Sequence, residues 1–111
     1  MLSSSTMFAL LALLAGCGLD TGPIGNTGSP AAVVTVSNNT FTPASVTVAV
    51  GETVKWSWAA GAANHNVTFD DGPASITKNN GTFTRTFGVA GTYGYECTIH
   101  GSAMAGTVVV Q

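Results

Sequence analysis

The chain has 111 residues, room for one domain, and only 7% of them are charged. Its three basic residues, Lys55, Lys78 and Arg85, cannot build the stripe of positive charge that displaces counterions from phosphates, which excludes nucleic-acid binding. A hydrophobic share of 45% with a net charge of −2 excludes a disordered chain.

Residues 7–15 (MFALLALLA) form an unbroken apolar run. A membrane-spanning helix needs about 20 such residues, so the run fits the core of an export signal instead. It ends in Leu14-Ala15-Gly16-Cys17, which resembles the lipobox of bacterial lipoproteins. There the signal is cut before the cysteine, and the thiol carries a diacylglycerol. The small residues Ala15 and Gly16 suit entry into a protease. One feature departs from that pattern: residues 1–6 hold no Lys or Arg. An ordinary secretory signal and a retained apolar terminus are the alternatives. The expected division is a lipoprotein-type signal peptide over 1–16, a lipidated Cys17 with a flexible linker over 17–31, and a folded domain over 32–111. The linker is rich in Gly, Pro, Thr and Ser, a composition that buries no core and behaves as a tether.

From residue 32 the pattern has period two. Val34 and Val36 alternate with polar neighbours, as do Val46 and Val48. Val54, Trp56 and Trp58 share a face, as do His65, Val67 and Phe69. Phe83 and Phe87 bracket Arg85; Tyr93, Tyr95 and Cys97 share a face; Val108 and Val110 close the chain. Alternation rich in β-branched and aromatic residues is the signature of strands. Asn38-Asn39, Gly51, Gly61, Asp71-Gly72-Pro73, Asn79-Asn80-Gly81, Gly91 and Gly101 mark turns between them. Over 70–80, Gly72 and Pro73 allow a turn at most. Seven to eight short strands in about 80 residues predict an all-β antiparallel sandwich or barrel.

Once a signal is removed and Cys17 acylated, the domain keeps one thiol (Cys97), two imidazoles (His65, His100) and one thioether (Met104). Three of these lie in Cys97-Thr98-Ile99-His100-Gly101-Ser102-Ala103-Met104. Two His and a Cys with a weak axial Met form the ligand signature of blue-copper electron-transfer sites, because thiolate and thioether suit Cu(I) and imidazole suits both oxidation states. Zinc is the weaker reading, since its sites take no thioether. The alternation aims Cys97 inward at a strand's end, and a loop over 98–103 is expected to turn His100 and Met104 back to the same point. His65 arrives from a separate strand.

The segments Asn64-His65-Asn66-Val67-Thr68-Phe69, Gly91-Thr92-Tyr93-Gly94-Tyr95-Glu96-Cys97-Thr98-Ile99-His100 and Met104-Ala105-Gly106-Thr107 resemble the small cupredoxins of the plastocyanin and amicyanin type. So do the upstream Phe41-Thr42-Pro43 and Gly51-Glu52-Thr53-Val54-Lys55-Trp56. The resemblance covers 32–111 and implies a Greek-key β-sandwich holding one copper ion that cycles between Cu(II) and Cu(I). It implies His65, Cys97, His100 and Met104 as metal ligands. Asn66 stands where the family ties its two ligand loops together and donates a hydrogen bond near the sulfur. The interval between His100 and Met104 is three residues, where relatives commonly have two or four, and that spacing bears on the axial bond.

Each residue has a plainer reading. A lone His or buried Cys is more often packing than ligand, and Cys17 and Cys97 could form a disulfide in an oxidising compartment. The eight aromatic residues Phe41, Trp56, Trp58, Phe69, Phe83, Phe87, Tyr93 and Tyr95 read as core, and Lys78 and Arg85 as solvated charges. No nucleophile–base pair, phosphate loop or haem motif is present. The expected function is a monomeric electron carrier, not an enzyme, at the bacterial cell envelope. Its partners would be a cytochrome, an oxidase or a reductase, met through a small uncharged face around Ala62, Ala63, Pro73, Gly101, Ser102 and Ala103. The alternatives are a copper storage or delivery protein on the same fold and an immunoglobulin-like structural or adhesion domain without metal.

Overall fold

The computed structural model describes residues 29–111. The signal and lipid-anchor readings over 1–28, Cys17 included, lie outside the described residues. Within them the chain forms eight strands: β1 (Ala32–Ser37), β2 (Thr40–Thr42), β3 (Ser45–Val48), β4 (Thr53–Trp58), β5 (Thr68–Phe69), β6 (Thr82–Thr86), β7 (Gly91–Cys97) and β8 (Gly101–Val110). They make two four-stranded sheets, ordered β2-β1-β4-β6 and β3-β8-β7-β5. The expected β-sandwich is therefore observed.

The sheets are mixed rather than purely antiparallel. β1 pairs with β4, and β3 with β8, in parallel. Local alternation identifies a strand but carries no direction. Here the chain leaves the first sheet after β2, adds β3 to the second, and returns as β4 beside β1. A parallel neighbour needs such a long crossover.

The inward faces follow the alternation. Val34 and Val36 of β1, Val54, Trp56 and Trp58 of β4, Tyr95 and Cys97 of β7, and Met104, Val108 and Val110 of β8 are buried together. Each large apolar side chain in such a core stabilises by about 1.5–3 kcal/mol. Trp56 lies at the centre, meeting Tyr95 edge-on at 5.4 Å and Phe69 at 5.5 Å between centroids. The Tyr95 ring packs where Gly106 leaves space, because a Cβ on Gly106 would overlap that ring and come within 3.0 Å of the Ala44 carbonyl. The eight aromatics expected in the core are all buried there or packed against it.

Residues 70–80 form a turn and loop stitched back by bridges between Thr68 and Ala74 and between His65 and Lys78. The expectation for Arg85 and Lys78 needs correction. The Arg85 side chain is only 17% exposed. Its guanidinium lies 4.5, 4.6 and 5.0 Å from the rings of Phe69, Phe87 and Tyr93. It donates to both Asp71 carboxylate oxygens, at 3.0 and 2.7 Å. β6 is an edge strand, so an inward-facing Arg there can pack its body on the core while its head reaches the 70–73 turn. Lys78 donates to the Thr82 carbonyl, with its Nζ 4.9 Å from the Trp58 ring centroid.

Candidate metal centre

Cys97 ends β7 as a free and fully buried thiol. Beyond it the chain turns tightly. His100 donates its backbone N–H to the Cys97 carbonyl at 3.1 Å, and Gly101 adopts φ 61°, a left-handed conformation that suits glycine. The expected loop over 98–103 is thus a three-residue turn followed directly by β8. The pairing register shifts at this point: Glu96 faces Ala105, but Cys97 faces Gly101. The extra residues on the β8 side form a bulge, the device that re-aims side chains beside functional sites. Met104, at the end of that bulge, is buried in the same core cluster as Cys97.

His65 comes from the stretch before β5. Its backbone pairs with Lys78 in both directions, N–H to carbonyl at 2.9 Å and carbonyl from N–H at 3.0 Å. The strand expected from His65 onward is reduced to Thr68–Phe69, and Asn66, expected to face away, is buried too. Its side chain explains this. Asn66 Nδ2 donates to Thr98 Oγ1 at 2.9 Å and to Thr77 Oγ1 at 3.1 Å, while Oδ1 accepts from Thr98 N at 3.0 Å and from Thr68 Oγ1 at 2.8 Å. The Asn66 backbone N–H points at Cys97 Sγ, 3.5 Å away.

The structure brings Cys97 Sγ within 3.8 Å of His65 Nδ1, and the His65 and His100 rings within 5.3 Å of each other. These approaches run pairwise through His65, and among the described residues no three His, Cys, Asp or Glu side chains form a closed metal-holding group. His65 is buried and His100 is exposed. Burial, and secondarily the charge of His100, push the His65 pKa down, which keeps the imidazole neutral as a metal ligand requires.

The donors fit a metal. Bonds of about 2.3 Å to thiolate and about 2.0 Å to imidazole let one ion bridge a sulfur and a nitrogen up to about 4.3 Å apart, and Cys97 Sγ and His65 Nδ1 stand inside that reach at 3.8 Å. One contributor has no sequence signal: Asn38, in the turn between β1 and β2, accepts from Ala63 N at 2.8 Å and stands 3.3 Å from His65 Nε2. Nothing in a turn-forming Asn-Asn pair announces a contact 27 residues away.

A two-sheet sandwich with a buried thiol and an imidazole at one end defines the cupredoxin class. The profile of the copper-binding plastocyanin/azurin family matches residues 31–111, and the chain belongs to that family. It is 38% identical to plastocyanin of Scenedesmus fuscus over 85 residues, 64% of this chain and 86% of that one. It is 36% identical to chloroplastic plastocyanin of Tetradesmus obliquus, again over 64% of this chain, and spans 58% of that relative's length. The crystal structure of amicyanin from Paracoccus versutus superposes with a TM-score of 0.62 at 33% identity, covering 75% of this chain and 83% of that one. The protein is accordingly a blue-copper electron carrier with one copper ion, not an enzyme. Family membership sets aside the metal-free immunoglobulin-like alternative.

Proposed function

We propose that His65, Cys97, His100 and Met104 would hold the copper, with the Met104 thioether as the weakest of the four donors, and that Asn66 supports them from behind. The observation that carries this reading is the 3.8 Å between Cys97 Sγ and His65 Nδ1. When bound, copper supplies a one-electron Cu(II)/Cu(I) couple. Cys97 and His65 sit in the apolar core, which excludes water from them. The Asn66 N–H aimed at Cys97 Sγ stabilises thiolate charge. The Asn66 side chain holds the His65 and Cys97 segments in fixed register, which limits geometric change on electron transfer. His100, exposed at the end of the sandwich, is the route by which the electron leaves.

The protein works at the bacterial cell envelope, exported and held by a diacylglycerol on Cys17 through the linker over 17–31. It acts as a monomer between redox proteins such as a cytochrome, an oxidase or a reductase. Ser102, Ala103, Ala63 and Pro73 are small, uncharged and exposed, and Ile99 beside His100 is 51% exposed. Such a surface suits brief, weak docking.

The full chain, loaded with Cu(II), should show the intense visible band of thiolate-to-copper charge transfer and a reversible one-electron couple. Cys97→Ser should abolish the band. A colourless protein after loading would overturn the ligand assignment, and an irreversible couple with rapid copper release would favour copper delivery. Fatty-acid labelling in cells should mark the parent and not Cys17→Ala; label on neither would refute the anchor.

A further inference from the structure

We propose that Asn38 is a positioning residue: it fixes the hydrogen of the His65 ring on Nε2 and so leaves Nδ1 bare toward Cys97. The inference rests on the reading of His65 as a ligand. It follows from three contacts in sequence. The backbone N–H of Ala63 can only donate, and it points at the Asn38 side chain at 2.8 Å. The amide must therefore present its oxygen there, since its NH₂ would set donor against donor. That same oxygen lies 3.3 Å from His65 Nε2. An amide oxygen only accepts, so Nε2 carries the hydrogen. A neutral imidazole has a single N–H, and the lone pair is left on Nδ1. Nδ1 is the nitrogen that faces Cys97 Sγ at 3.8 Å.

The order of strength is also consistent. One oxygen with two lone pairs serves two donors, and the fixed backbone amide takes the shorter contact. Asn38 is itself anchored: it precedes Asn39, whose φ of 67° closes the turn between β1 and β2, and Ala59 N donates to the Val36 carbonyl at 2.8 Å nearby. The turn between β1 and β2 thus sets the tautomer of His65, a residue whose backbone pairs with Lys78 outside both sheets. Without Asn38 the ring could place its hydrogen on Nδ1, where it would point at the sulfur and block coordination. An acceptor on Nε2–H also makes the ring a better donor to the metal, which favours Cu(II) over Cu(I).

The test uses Asn38→Ala, which removes the acceptor, and Asn38→Asp, which keeps its shape and strengthens it. Asn38 is exposed in a turn, so both variants leave the core intact. In the metal-free full chain, ¹⁵N shifts of the His65 ring should report the Nε2–H tautomer in the parent and in Asn38→Asp, and a mixture in Asn38→Ala. In the copper-loaded chain the potential should rise in Asn38→Ala and fall in Asn38→Asp. Each change should be about tenfold in the Cu(II)-to-Cu(I) affinity ratio, or about 59 mV for one electron. An unchanged tautomer in Asn38→Ala, or potentials moving in the same direction in both variants, would overturn the positioning role. His65→Gly separates this from the parent reading. If it keeps the parent's visible band, the ligand assignment fails. If it loses the band while the Asn38 variants behave as the parent, only the role of Asn38 fails.

Discussion

Cutting the strap between the His65 and Cys97 segments should separate stability from copper chemistry. Asn66→Ala removes four side-chain hydrogen bonds, two donated to Thr77 and Thr98 and two accepted from Thr98 N and Thr68. At about 0.5–1.5 kcal/mol net per bond the loss could reach about 6 kcal/mol. Thr77 and Thr98 are exposed, however, and their hydroxyls recover water. The Thr98 N–H and Thr68 hydroxyl recover it less fully, so the expected loss is about 2–4 kcal/mol. For a domain of this size that lowers Tm by about 10–25 °C. The comparison belongs to the metal-free chain, because bound copper adds stability of its own. In the same sample, amide exchange at Thr98 should accelerate while that of Val34 in β1 changes only with global stability. In the loaded protein the visible band should persist but broaden. A variant that melts within about 1 kcal/mol of the parent, with Thr98 still protected, would refute the reasoning.

Arg85→Ala should cost about 2–3 kcal/mol by chemical denaturation, from three cation–π contacts at about 0.5–1 kcal/mol each plus an ion pair of a few tenths. Asp71→Asn, which removes only the pair, should cost far less, and equal losses would place the energy in the salt bridge instead. The Arg85 hydrogen bonds hold the Asp71 pKa below its ordinary 3.8, so this carboxylate stabilises the fold above pH 3.8 and ceases to as acid protonates it. The parent should lose a small increment of stability over that range that Asp71→Asn lacks. Met104→Leu keeps the volume of a side chain that is 1% exposed; it should cost under about 1.5 kcal/mol, keep copper and its colour, and shift the potential, whereas loss of copper would make Met104 a strong ligand.

Much of this was legible from period-two alternation. Val34 and Val36, Trp56 and Trp58, and Tyr95 and Cys97 all face the core as the pattern implies. What alternation could not carry is strand direction, and the two parallel pairings are its consequence. Arg85 shows a different failure. Phe83, Arg85 and Phe87 share a parity, so the pattern itself placed Arg85 inward; its charge suggested the opposite, and the rings and Asp71 outweigh the cost of partial burial. Asn66 broke parity for the converse reason, since four hydrogen bonds hold a polar group inside. At the site, residue type and spacing pointed to His65, Cys97, His100 and Met104. Asn38 stayed invisible because its partners are remote in sequence.

The distribution of charge leads to a last expectation, about encounter. Arg85 is neutralised by Asp71, and Lys78 is engaged by Trp58 and the Thr82 carbonyl. The exposed surface near His100, from Ile99 to Ala103, carries no formal charge. Long-range steering needs an extended patch of one sign, and at about 0.1 M salt isolated charges are screened beyond about 10 Å. Electron exchange between oxidised and reduced copies of this protein, through the exit proposed at His100, requires no identified partner. Measured by NMR line broadening in mixed samples, its rate should vary less than about threefold between low and high salt, since the metal-free chain bears only −2 and a copper ion with its thiolate makes each copy no more negative. Ile99→Glu should slow the exchange and make it salt-dependent, because two like charges then face each other at the contact. A parent rate that climbs steeply with salt would mean that charge governs the encounter, and an Ile99→Glu rate equal to the parent's would mean that the electron leaves elsewhere.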